Sequence, residues 1–283
     1  MGFIISIPTP LEYFESLVTS DDEFPLIETA ISLAQDEYPD LDVQQVLSQI
    51  DQMQLRLQRR VAQDASALQR LRAVNEFFFR DLGFSGNLNN YYDPDNSFIH
   101  LVLKSRRAIP ITLALIWLEL AQSVKLKAFG IGFPGHFMVS VIMPNGQVVI
   151  DPMDGQSLGR EELSERLMPY LDNKSTDRTE ETFLRELIKR AVPREIIARM
   201  LRNLKEIHLS QEDWIRLLPV HDRLLTLLPE LWTEYRDRGL THAELGHADL
   251  ALDDLNTYIT NVIDSHDHIA MIARIEELKS DAR

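Results

Sequence analysis

Apolar residues recur at helical spacing through most of the first 80 positions. Leu26 to Ala34 carries them in the i, i+3, i+4 pattern of one helix face, and Pro39 breaks that helix. The pattern returns from Val43 to Val61 through Val46, Leu47, Ile50, Met53, Leu55, Leu57 and Val61. Ser66 to Leu82 predicts a third helix, with Leu68, Leu71, Val74, Phe77 and Phe78 inward and Gly83 as its stop. From Gly83 to Ser97 the periodicity gives way to Asn, Asp, Gly and Pro, so this stretch reads as a loop. Pro110 then opens the most apolar helix of the chain, running to Gln122, with proline in its favoured first-turn place. Apolar residues on nearly every face predict that this helix is buried all round. After it the period shortens to two. Residues 128–133, 137–143 and 148–150 read as strands, with a hairpin turn at Pro144-Asn145-Gly146.

Strand signals fade beyond Met153, and the polar run Asn173 to Glu181 predicts a domain boundary. From about Phe183 every segment reads as helical. Two similar units follow, Ile197 to Pro229 and Leu231 to about Asp264, with a period of roughly 34 residues. Gly239, Ala243, Gly246, Ala248 and Ala251 supply small residues where two helices must cross closely, which is the tetratricopeptide pattern. Two units are few for such an array. They are expected to lean on the first domain or to be capped by a last helix, Asp267 to Lys279. The domains predicted are 1–180 and 181–283.

Composition narrows the chemistry. The 283 residues include 29 Lys+Arg against 44 Asp+Glu, a formal charge of −15. That acidity argues against nucleic-acid and anionic-membrane partners, which need a basic face. There are no cysteines. Disulfides, zinc–thiolate sites, iron–sulfur clusters and a cysteine nucleophile are therefore excluded. The N-terminus has no basic n-region, and its apolar run is too short for a signal peptide. Gly2 followed by Ser6 can be read as a myristoylation signal, but an apolar terminus that packs is the simpler reading. The longest apolar stretch, Ile109 to Ala121, is too short to span a bilayer. A cytoplasmic location is expected. No Gly-rich phosphate loop occurs, and no cofactor or metal is assigned. His242 and His247 are five apart in a predicted helix and so off one face. His266 and His268, near Asp264 and Asp267, form an acidic tip that is at most a weak metal site. Arg56, Arg59 and Arg60 read as a solvated helix face.

The middle of the chain has the helix-then-strands order of a papain- or transglutaminase-type thiol enzyme. Such a site needs a nucleophile at the N-terminus of a buried helix, where the dipole lowers its pKa. It also needs a histidine base on a following strand and an aspartate to orient that histidine. His136 opens one strand and Asp151 closes the next. A two-residue turn at Asn145-Gly146 would put both on one face but four positions apart, and a three-residue turn would put them on opposite faces. Whether they touch, or Asp154 replaces Asp151, is left open by spacing.

Ala108-Ile109-Pro110-Ile111-Thr112-Leu113-Ala114 resembles the transglutaminase-core pattern of Gly, any residue, Cys, three residues, Ala, with Pro110 in the nucleophile's place. His136 and Asp151 fall on that core's His and Asp. A closer resemblance is to the bacterial SirB family, first-member type: a transglutaminase-like domain followed by tetratricopeptide-like helices. It rests on Glu37-Tyr38-Pro39-Asp40, Gly83-Phe84-Ser85-Gly86-Asn87, Tyr91-Tyr92-Asp93-Pro94-Asp95-Asn96-Ser97, Ile109-Pro110-Ile111, Phe133-Pro134-Gly135-His136 and Arg236-Asp237-Arg238-Gly239. These stretches span about residues 26 to 265, and the one departure is Ala108, where the family usually has Gly. The resemblance implies an α+β fold: a helical N-terminal part, a central buried helix and a small antiparallel sheet, followed by an all-α region. It implies a cleft bordered by the loop of Tyr91, Tyr92, Asn96 and Ser97. It also implies a retained His136–Asp151 pair beside Pro110.

Pro110 removes both the thiol and a backbone N–H. In acyl-transfer enzymes the nucleophile's own N–H often binds the oxyanion, and losing such a donor costs about 3–4 kcal/mol of barrier. Thr112 lies about 200° round the helix axis from Pro110. Its hydroxyl is expected to pack or to bond back to a carbonyl. The predicted function is a non-catalytic interaction or regulatory protein that takes a protein or peptide partner through its helical repeats. The competing expectation is a hydrolase or acyltransferase on peptide amides, using His136 and Asp151 with water or Thr112.

Overall fold

The computed structural model describes residues 8–20, 24–170, 188–263 and 266–281. The apolar start 1–7 and the polar run 173–181 lie outside the described residues. The chain forms two compact units. One holds Pro25–Ile31 and Leu41–Ile196, and the other holds the described residues of Met1–Phe24, Ser32–Asp40 and Ile197–Arg283. Residues 180 and 181, where composition suggests a boundary, are not described.

In the first unit, α2 (Leu26–Ser32), α3 (Val43–Gln58) and α4 (Ala67–Asn75) form where the helical periodicity predicts them. Asp42 caps α3 by accepting the Gln45 N–H, and Ser66 forms a capping box with Gln69 at the start of α4. Leu68, expected inward, is exposed in the first turn of α4, and the third predicted helix is not α-helical to its end. Glu76–Asp81 widens into a π-helical turn, closed by Leu82 N–H donating to the Phe77 carbonyl. Three consecutive phenylalanines occupy that turn, and Phe78 stacks on Phe84 at 4.4 Å. Gly83 then stops it with φ 72°, as predicted.

The stretch 83–97 is not all loop. Ser85–Gly86 (β1) pairs in parallel with Arg107–Ala108 (β2), and Pro94–Ser97 makes one 3-10 turn. Two-residue strands have no periodicity for a sequence to show. After α5 (Ile99–Ser105) comes α6 (Pro110–Ser123), in which ten of fourteen residues are buried. α3 and α4 pack against α6, as do β3 (Ala128–Phe133) and β4 (His136–Met143). β5 (Gly146–Ile150) and β6 (Ser157–Leu158) complete an antiparallel sheet of order β3-β4-β5-β6. Beneath it, α7 (Arg160–Leu167) adds Leu163 and Leu167 to a cluster with Ile131, Phe133 and Met138.

The second unit contains α8 (Pro193–Ser210) from Ile197 onward, with α9 (Trp214–Leu227), α10 (Trp232–Glu244) and α11 (Ala248–Asn261). These are the two predicted helix pairs. α12 (His268–Asp281) caps them through Ile275 and Leu278 on Ala251 and Leu255. At the α10–α11 crossing a Cβ on Gly239 would lie 3.0 Å from Leu255 Cγ, so only glycine fits without displacement. A further helix, α1 (Pro10–Leu17), packs on α9. Its signal was present in the sequence as a Thr9–Glu12 capping box with proline at the first turn.

Leu113, in the first turn of α6, is fully buried. Leu113→Ala is expected to lose about 2–5 kcal/mol of stability, because it deletes core contacts and leaves a cavity. Leu250→Ala, on an exposed face of α11, is expected to stay within about 0.5 kcal/mol. Urea denaturation of both variants is the check, and equal losses would contradict the assignment of α6 as the core.

Candidate functional site

An open cleft of about 500 Å³ lies at the N-terminus of α6. Pro110, the first residue of that helix, forms part of its wall. The β3–β4 turn contributes Phe133 to His136, and the segment after β5 contributes Asp151, Met153 and Asp154. Leu88 and Tyr91 close one side. Arg166, Pro169 and Tyr170 close another.

His136 and Asp151 meet, with Nε2 3.0 Å from Oδ1. The hairpin explains how. Met143 pairs with Gly146, so the two-residue turn is Pro144-Asn145 rather than Asn145-Gly146. The ladder pairs Val139 with Ile150, and one further step sets Asp151 opposite Met138. His136 and Asp151 are thus diagonal neighbours on one face, two positions apart instead of four. Gly135 has φ 64°, the left-handed region that glycine tolerates, and a Cβ there would collide with the Tyr170 hydroxyl.

Asp151 is almost fully buried and fully engaged. Oδ1 accepts from His136 and from the Met153 N–H at 2.9 Å, and Oδ2 accepts from Arg166 Nη1 at 2.6 Å. Burial alone would push the carboxyl up. The hydrogen bond and charge of His136, with donors from Arg166 and Met153, outweigh it and lower the pKa to about 2. An ionised Asp151 is acceptor-only, so His136 Nε2 carries the proton it shares. The other ring nitrogen, Nδ1, makes no hydrogen bond among the described residues. Arg166 has no sequence signal, because its partner lies in another element 15 residues away.

The other expected residues separate into those at the cleft and those beside it. Tyr91 lines the cleft, whereas Tyr92 is exposed and lies outside the lining. Asn96 is buried beneath the loop. Its Nδ2 donates to the carbonyls of Asn90 (2.7 Å) and Tyr91 (3.2 Å), and its Oδ1 accepts from Asn87. It positions Tyr91 without reaching the cleft. Ser97 is buried with no partner for its hydroxyl, away from the lining. Thr112 is also buried and outside the lining, and its hydroxyl makes no hydrogen bond. The expected back-bond to a carbonyl does not form. Asp154 lines the cleft but does not partner His136. One of its oxygens accepts the Gln156 N–H.

His242 and His247 require a correction. Gly246, with φ 75°, turns the chain between α10 and α11, so the two residues are not in one helix. Their rings meet tilted at 51°, with Nδ1 atoms 3.3 Å apart. His268 Nδ1 lies 3.2 Å from the Val262 carbonyl, and residues 264–265 of the proposed acidic tip are not described. Among the described residues no group of three or more His, Asp or Glu is arranged to hold a metal.

A carboxyl held near 2 rather than 3.8 contributes about 2 kcal/mol of stability. Because the folded value is the lower one, that contribution is complete above about pH 4 and disappears as pH falls through 2. Asp151→Asn is expected to lower stability at pH 5 and to flatten the acid limb between pH 4 and 2. Urea midpoints across that range test it, and parallel acid limbs for the two proteins would refute it.

Residues 44–202 match the transglutaminase-like superfamily, and residues 204–277 match a tetratricopeptide repeat family. The chain is similar to a UPF0162 protein of Xylella fastidiosa (strain Temecula1), 38% identical over 251 residues that cover 88% of each chain. It is similar to the UPF0162 protein YchA of Escherichia coli, 26% identical over 83% of this chain and 86% of that one. It is also similar to Protein SirB1 of Salmonella typhimurium, 25% identical over 78% and 80% respectively. No solved structure matches. A transglutaminase-like region continuing into tetratricopeptide repeats, with relatives of this kind along most of its length, shows that the chain belongs to the SirB1/UPF0162 family.

Proposed function

We propose that this protein is a non-catalytic member of the transglutaminase-like group that acts in protein–protein interaction or regulation. The observation that carries this reading is Pro110, which lines the same cleft as the His136–Asp151 pair. A nucleophile at the first position of α6 would sit in the cleft beside its base. Proline there supplies neither a thiol nor an N–H for an oxyanion. Thr112 does not replace it, because its hydroxyl is buried outside the cleft lining. The pair's value is then structural: it joins β4, the segment after β5 and, through Arg166, α7. The tetratricopeptide helices supply the surface for a protein partner, in keeping with what such arrays commonly do. The net charge of −15 disfavours nucleic acid and anionic membrane as partners. No helix among the described residues is long and apolar enough to cross a membrane. A cytoplasmic location fits the reading.

A second reading has one observation in its favour. The unbonded Nδ1 of a cleft-lining, Asp-oriented histidine is what a general base for water would offer. Purified protein is expected to show no amide hydrolysis and no amine incorporation above background on peptide substrates, with His136→Ala giving the same result. Turnover that disappears in His136→Ala would overturn the non-catalytic reading.

A further inference from the structure

We propose that the cleft beside Pro110 and His136 binds an extended peptide segment of a protein partner and takes an arginine side chain from it. This rests on reading the cleft as a binding site, and it adds a second contact region to the helical repeats.

Charge sets the first requirement. Asp151 and Arg166 offset each other at 2.6 Å. Asp154 pairs with no cation among the described residues, so its carboxylate faces the cleft without a counter-charge. The Asp154 carboxylate offers its oxygens as acceptors to a ligand. A ligand that complements them must bring donors and positive charge.

The walls choose between cations. Tyr91 and Tyr170 line the cleft with partly exposed rings. A planar guanidinium stacks on aromatic faces and offers five donors in a fork. An ammonium is a strongly hydrated point charge. Arginine therefore fits better than lysine.

The rim argues for a chain rather than a small molecule. Next to cleft-lining Tyr91 and Pro169, Tyr92 and Met168 leave 71% and 64% of their surfaces in water, and Leu88 leaves 80%. Large apolar side chains gathered around an open cleft mark an interaction surface. A peptide running through the cleft would cover them. A volume of about 500 Å³ lies in the range of sites for ligands a few residues long.

The test is fluorescence anisotropy of the full chain with labelled hexapeptides of one Ala/Pro background, carrying Arg, Lys, Gln or Glu at the centre. The Arg peptide should bind most tightly, followed by Lys, with Gln and Glu weakest. Asp154→Asn should weaken the Arg peptide about fivefold or more, by loss of a charge-assisted contact. Asp64→Asn, the same charge change at an exposed position between α3 and α4, should leave it unchanged. Tyr170→Ala should weaken Arg more than Gln. The assignment is overturned by equal binding of the Arg and Glu peptides, by equal effects of the two Asp→Asn variants, or by no binding at millimolar peptide. Cleavage of a bound Arg peptide would instead sink the non-catalytic reading and leave this assignment standing. A partner held at the repeats with no Arg preference in the cleft would do the reverse.

Discussion

A helix that is apolar on every side can persist in water only if it is covered on every side, and α6 imposes that constraint on the first unit. Its buried faces take α3 and α4, and also β3 and β4, so each flanking element is positioned by the same apolar surface. Covering such a helix leaves its ends as the places where the chain can meet solvent. The N-terminal end opens on the cleft, and the residue standing there is Pro110. Architecture and site are thus consequences of one burial requirement.

At the cleft, the buried carboxylate of Asp151 is satisfied locally. Asp151 would be costly to bury as an ion, yet three donors from three directions hold it ionised. Two of those donors are side chains of β4 and α7, so the carboxylate ties together elements on different sides of the cleft. These contacts fix the geometry of the His136–Asp151 pair beside Pro110.

The second unit solves a different problem, because its helix interfaces contain many charges. Arg238 is bidentate to Asp254 at 2.7 Å and also reaches Asp222, while Arg236 pairs with Asp237 and Asp267. Lys205 bridges Glu234 and Asp237. The hydrogen bonds of His221 and Lys205 hold the Glu234 carboxyl below its usual range despite burial. Breaking one partner of such a network strands the others, so the Arg236-Asp237-Arg238 stretch is structural cement. Asp36 pairs with Arg223 at 2.6 Å, and Glu37 reaches Arg216 and His208. The Glu37-Tyr38 stretch therefore has a physical role within the same unit.

Much of this was legible in the sequence. Periodicity located α3, α6, the three main strands and the paired C-terminal helices, because each buries a continuous apolar face that repeats at 3.6 or 2 residues. The missing cysteine and Pro110 excluded thiol chemistry without any coordinates, since side-chain identity alone decides that. Contacts whose two halves belong to different elements were not legible. The pairing of His136 with Asp151 depended on a hairpin register two residues from the one assumed, and a turn of unchanged length hides that shift. Arg166 on Asp151, Asn96 beneath the Tyr91 loop and the contact of His242 with His247 likewise arise from where turns redirect the chain. Local residue patterns determine which faces must be buried. Only tertiary structure decides which polar groups meet, because those meetings depend on register and turn geometry that carry no periodic signal.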